Sequence, residues 1–150
     1  MENPWTLKGE QILLSIPHYD WEKVGFWVNE GAAVIIRNNK IFITYSGSAT
    51  DENYCMGLLW ADGDSDLLDG YNWHKSKEPV FLSSDKNSLY GPGHNSFTVS
   101  EDGEEDVLIY HARPKKVEAG DPLDVPDRHA NAQVFTWNEA GFPEFGEPGN

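Results

Sequence analysis

The chain has 150 residues, about one domain's worth, and its 25 acidic against 11 basic residues give a formal charge of -14. That excess argues against a nucleic-acid backbone or an anionic membrane as partner, since both require a basic face. Apolar runs such as Ala32–Ile36 fall far short of a membrane span, and the single Cys55 excludes an internal disulfide framework and multi-cysteine zinc sites. No basic start and apolar stretch open the chain, so no secretory signal is visible, which places a complete chain in the cytoplasm. Six Trp, six Tyr and seven Phe supply a packed core rather than disorder. The acidic surplus reads as a solvated surface, or as adaptation to salt or divalent cations.

Short apolar stretches, many of them alternating with period two, recur between turn residues along the chain, and this is the signature of strands. In chain order the predicted strands are Gln11–Ile16, Ala32–Arg37, Ile41–Ser46, Tyr54–Trp60, Val80–Leu82, Ser96–Ser100, Val107–Ala112 and Ala132–Trp137. Only Leu67–Tyr71 reads as a helical turn. Asn38-Asn39 and Asp102-Gly103 read as tight hairpin turns.

The spacing carries more than the strands do. Pro79-Val80-Phe81 is echoed 64 residues on by Pro143-Glu144-Phe145, and Glu30 lies 64 before His94. The pattern describes a four-stranded unit used about twice: residues 28–90 and 91–150, preceded by the tail of an earlier unit at 5–27. Repeated four-stranded antiparallel units predict an all-β, propeller-like fold of about two and a half blades, with a sandwich or meander as the alternative. Propellers usually close with at least about four blades. So few blades leave apolar faces open, which favours a homo-oligomer.

Several motifs, taken together and in order, resemble glycoside hydrolase family 43. They are Val28-Asn29-Glu30-Gly31, Ile41–Ser46, Gly91-Pro92-Gly93-His94-Asn95-Ser96-Phe97, Tyr110-His111-Ala112-Arg113, Asp127–Gln133 and Phe142-Pro143-Glu144-Phe145-Gly146. The resemblance runs from about Trp5 to Pro148. It implies part of a five-bladed propeller hydrolase that cuts arabinofuranosyl or xylosyl linkages of plant polysaccharides with inversion. It also implies Glu30 as general acid, and His94 near the axis helping to hold a calcium ion through water. The family's general base Asp and the Asp that tunes the acid stand upstream of these motifs, and neither motif is present in this sequence. Ala32 and Asn131 stand where the family often has Pro and Arg.

The chemistry of inversion needs a protonated carboxyl for the leaving oxygen and a second carboxylate, roughly 6.5–9.5 Å away, to activate water. Glu30 is the candidate acid, with Phe26, Trp27 and Val28 as apolar neighbours that would shield it. Asp20, Asp51 and Glu52 are the acidic residues nearby in sequence, and each also reads as a solvated loop residue. Trp27 and Phe26 offer faces for sugar rings, and Asn29 and Arg113 are further candidate substrate contacts. His94 alone specifies no metal, since calcium prefers oxygen ligands, and His111 and His129 are expected to make structural hydrogen bonds. Asp62–Asp66 lacks a calcium loop's glycine and bidentate Glu, because Leu67 and Trp73 stand in their places.

The expected function is therefore a family-43-like glycoside hydrolase acting on pentose-containing oligo- or polysaccharides, with no nucleic-acid or membrane partner. The alternatives are a catalytically dead sugar-binding half-propeller, or a truncated fragment without its catalytic base.

Overall fold

The computed structural model describes residues 1–150. Its strands are β1 (Asn29–Arg37), β2 (Lys40–Gly47), β3 (Cys55–Asp62), β4 (His74–Lys75), β5 (Tyr90–Val99), β6 (Asp106–Arg113), β7 (His129–Trp137) and β8 (Pro143–Glu144). They form two four-stranded antiparallel sheets, each in sequential order, β1-β2-β3-β4 and β5-β6-β7-β8. The fold is all-β, and each sheet is an up-and-down blade of the propeller type.

The alternation read from the sequence sets the faces. Along β1, Ile35 is buried while Val34 and Ile36 on either side of it are exposed. The inward face of the first blade presents Ile35, Phe42, Met56 and Leu58 to Leu108, Tyr110, Phe135 and Phe145 from the second. Phe42 of β2 packs against Trp137 and Phe142, with ring centroids 5.5 Å away in each case, so one side chain joins both blades. At the inner edge the seam turns polar. There Thr44 donates to Asn95 Oδ1 (2.9 Å) and Arg37 forms an ion pair with Asp106 (2.7 Å).

Most predicted strands form, but four features differ. Gln11–Ile16 is extended without a ladder, and its Leu13 and Ile16 are exposed, because no strand of this chain lies alongside it. Val80–Leu82 makes a single bridge, Phe81 to Met56, rather than a strand. The outermost strands β4 and β8 are only two residues long, too short to show a period. Asn38-Asn39 does form the tight turn, with φ of 53° and 55°, whereas Asp102-Gly103 lies within a longer loop closed by Ser100 and Glu105. The helical turn falls at Gly70–Asn72 as a single 3₁₀ turn.

The segment ahead of β1 is fastened to the outward face of the first blade. A 3₁₀ turn at Asp20–Glu22 brings Trp21 over Tyr45, with near-parallel rings 6.2 Å apart, and the Trp21 indole donates to the Lys77 carbonyl (2.8 Å). Ser48 Oγ donates to the Trp21 carbonyl and accepts from the Val24 amide.

Because Phe42 fills the seam between blades, Phe42→Ala should cost about 3–5 kcal/mol. Chemical denaturation checks this. The blades should still melt together, so a lowered midpoint with one transition is the expected result.

Candidate active site

Glu30 lies at the second position of β1, where the pairing with β2 slips between Glu30 and Ala33. This bulge re-aims the strand, a common device beside functional sites. Gly31 takes φ +58° in it, and a Cβ there would stand 3.0 Å from His94 Cγ and 3.2 Å from His94 Cα. Glycine is required on both counts, backbone conformation and the close passage of β5. The Glu30 carboxyl is solvent-exposed on the inner edge, and its Oε1 accepts a hydrogen bond from the Tyr54 hydroxyl (2.7 Å).

Tyr54 is fully buried. Its ring stacks on His111, with centroids 5.3 Å apart and planes 14° from parallel. Gly93 passes against its edge, and a Cβ there would lie 2.5 Å from Tyr54 Cε1 and 2.7 Å from Ser46 Oγ. Burial, with the Glu30 charge reinforcing it, pushes the Tyr54 hydroxyl well above its ordinary range, so it stays a proton donor, although Ser46 opposes this. Burial pushes His111 down to about 4, helped by Arg128, His94 and Arg113, so its imidazole is neutral.

Behind Glu30 lies a buried carboxylate. Glu22 is fully buried, and its Oε2 accepts the amides of His18 (2.7 Å) and Tyr19 (2.8 Å). Its Oε1 accepts from Asn29 Nδ2 (2.9 Å) and Tyr45 (2.9 Å), and pairs with Lys75 Nζ at 2.5 Å. Lys75 also sits over the Tyr19 and Tyr45 rings. Burial alone would raise the Glu22 carboxyl. The Lys75 ammonium and the Tyr19, His18 and Asn29 donors outweigh it and hold the group down to about 2.

The structure separates the expected site residues. Trp27 (74% exposed) and Phe26 lie on the surface, and Lys23 sits over the Trp27 ring. The Asn29 side chain has partners within the chain. It turns inward, donating to Glu22 and accepting from Ser15 (2.6 Å). Arg113 is held in the same way. It is fully buried and bonds the Thr50, Val125 and Pro122 carbonyls and the Asp127 carboxylate, tying a loop rather than facing a ligand. Of the acids near Glu30 in sequence, Asp20 pairs with Lys23 and Asp51 caps Asn53. The expected hydrogen bonds of His111 are absent, as both its ring nitrogens are buried without a partner in the chain.

The His94 ring stands exposed beside Gly31, and its backbone takes the left-handed φ of 46°. Calcium takes about six to eight oxygen ligands. No three His, Cys, Asp or Glu side chains of this chain converge as a metal site, so His94 offers one nitrogen only and these residues do not fit the ion by themselves. Tyr54 and Glu22 escaped the sequence reading. The glycine pair at 91 and 93 signals a bulky neighbour without identifying it, and Glu22 is one acid among many.

Comparison with known proteins places this geometry in context. The model of glycosyl hydrolases family 43 matches residues 1–143. The chain is 51% identical over 148 residues to alpha-L-arabinofuranosidase B of Pyricularia oryzae, covering 99% of this chain and 30% of that protein. It is 53% identical over 148 residues to the extracellular exo-alpha-(1->5)-L-arabinofuranosidase of Streptomyces avermitilis, covering 99% and 31%. Among solved structures, an alpha-L-arabinofuranosidase from Lactobacillus brevis superposes with a TM-score of 0.96 at 57% identity, over 99% of this chain and 46% of that one. The chain thus spans about a third of the length of those two sequence relatives and under half of this structural one.

Two groups make the fold acid-sensitive. Glu22 has a folded pKa of about 2 against 4.5 for the free group, so its contribution is complete above about pH 4.5 and is lost as pH falls toward 2. It amounts to about 3 kcal/mol at most. His111, neutral when folded, adds a loss that begins as pH falls below 6.5 and ends near 4. Urea midpoints measured against pH should therefore fall across both windows. Glu22→Gln should lower stability at pH 7 and flatten the limb below pH 4.5.

Proposed function

The chain belongs to glycosyl hydrolase family 43, and on that footing we propose that it forms the acid-bearing part of an arabinofuranosidase, with Glu30 as general acid. The observation that carries this reading is the placement of Glu30. It is an exposed carboxyl at a bulge on the inner strand, anchored through one oxygen only. Half of the chain's residues are identical to those of arabinofuranosidases over nearly its whole length, which supports arabinofuranosyl linkages over xylosyl ones.

In an inverting hydrolysis the Glu30 proton passes to the glycosidic oxygen as the bond from that oxygen to the anomeric carbon breaks. Water adds to that carbon from the opposite side and gives its proton to a second carboxylate. Asp20 pairs with Lys23 and Asp51 accepts from the Asn53 amide, and in this reading the opposing carboxylate comes from a joined segment or from a second copy of the chain. Trp27, exposed three residues before Glu30, offers an apolar face for the C–H side of a sugar ring. Beyond Glu30, no step is assigned to His94 or to calcium.

The test is hydrolysis of an aryl α-L-arabinofuranoside by the chain at increasing concentration, beside Glu30→Gln. Turnover by the unmodified chain, reduced about 100-fold or more in the variant, is expected of a lost general acid. Equal turnover in both would remove Glu30 from the mechanism. Saturable arabino-oligosaccharide binding with no turnover would favour the sugar-binding reading.

A further inference from the structure

Three hydrogen-bonding groups line up behind the Glu30 carboxyl. The His94 amide donates to Ser46 Oγ (2.8 Å), Gly93 runs against both Ser46 Oγ and the Tyr54 ring, and the Tyr54 hydroxyl donates to Glu30 Oε1 (2.7 Å). Each hydroxyl has one proton to give. The amide N–H can only donate, so Ser46 Oγ accepts from His94, and Tyr54 gives its hydroxyl proton to the Glu30 carboxyl oxygen, which is the acceptor there. Ser46 and Tyr54 are both fully buried, so their hydroxyl-bearing side chains are held by the protein rather than by solvent. The His111 face against the Tyr54 ring adds no rival acceptor, because neither of its nitrogens reaches a polar partner in the chain.

Resting on the hydrolytic reading above, we infer that Tyr54 is the positioning residue of the general acid. By occupying Glu30 Oε1 it leaves Oε2 as the oxygen that carries the proton to the glycosidic oxygen. The protonated carboxyl has one carbonyl oxygen that accepts and one hydroxyl oxygen that donates. The Tyr54 bond assigns the accepting role to Oε1. The Oε2–H bond then breaks as the leaving oxygen gains its proton, and the carboxylate left behind keeps the Tyr54 bond, which strengthens as the charge develops. The left-handed backbone of His94 and the missing Cβ at Gly93 follow from the same arrangement. Both let β5 pass close enough for its amide to reach Ser46, beside the Tyr54 ring.

The test is Tyr54→Phe, which keeps the ring and deletes the donor, assayed on two substrates. On an arabino-oligosaccharide, whose leaving alcohol needs a proton, kcat should fall roughly 10- to 100-fold with KM little changed. On a 2,4-dinitrophenyl arabinofuranoside, whose leaving group needs none, kcat should stay within about twofold. Equal losses on both substrates would make Tyr54 merely structural and overturn the inference.

A second measurement does not need turnover. Buried from solvent, the Tyr54 hydroxyl proton should give a slowly exchanging ¹H NMR signal in the unmodified chain that disappears in Tyr54→Phe and moves in Glu30→Ala. A signal indifferent to Glu30→Ala overturns the inference whatever the activity. If the unmodified chain turns over neither glycoside, the hydrolytic reading fails, and this NMR signal alone decides whether Tyr54 holds Glu30.

Discussion

The close passage of Gly93 over the buried ring of Tyr54 is the constraint on which the inner edge of this structure depends. No side chain fits between them, since a Cβ would meet Tyr54 at 2.5 Å and Ser46 at 2.7 Å. That closeness brings β5 onto the first blade, sets the His94 amide on Ser46 and fixes the Tyr54 hydroxyl against Glu30. A matching passage at Gly31, where β1 meets His94, closes the same corner from the other strand. The two glycine-containing motifs are thus two sides of one contact.

Away from that edge the blades are joined by aromatic packing. Phe42, Phe81, Phe135 and Phe145 interlock with Tyr110 and Trp137 across the sheets, and this burial is the main stabilising term for a chain of this size. The division of labour is physical. Apolar burial is non-directional and holds the sheets face to face. Hydrogen bonds are directional and are concentrated where a carboxyl must point one way. The buried Glu22–Lys75 pair adds a second fixed point. It fastens the segment ahead of β1 to the first blade and reaches Asn29, the residue next to Glu30. Removing either partner would strand the other charge in the interior.

Where structure and sequence reading diverge, long-range neighbours are the cause. Asn29 and Arg113 stand in motifs beside functional positions, and on sequence alone each is a polar residue free to meet a ligand. In the fold both bond other groups of the chain, Arg113 the Thr50 carbonyl 63 residues away and Asn29 the nearer Glu22 and Ser15. Gln11–Ile16 reads as a strand because its residues favour one, but a strand needs a neighbour to bond, and none lies there in this chain. The reverse holds for β4 and β8. They form because an edge awaits them, without enough residues to show a period.

By itself the sequence determined the all-β class, the hairpin cores of both blades, the tight Asn38-Asn39 turn and the family. These rest on local alternation, local turn chemistry and contiguous motifs, all legible within a few residues. It also marked Glu30 as the candidate acid, and the structure shows what surrounds that carboxyl. Tertiary structure alone decided which polar groups face one another: Tyr54 with Glu30, Glu22 with Lys75, Ser46 with His94. Those pairs lie 24 to 53 residues apart in the chain, and no periodicity records them. Whether a buried hydroxyl or carboxylate orients a site or merely fills space depends on strand register and on how closely two backbones approach. Both are set by the packing of one blade on the other.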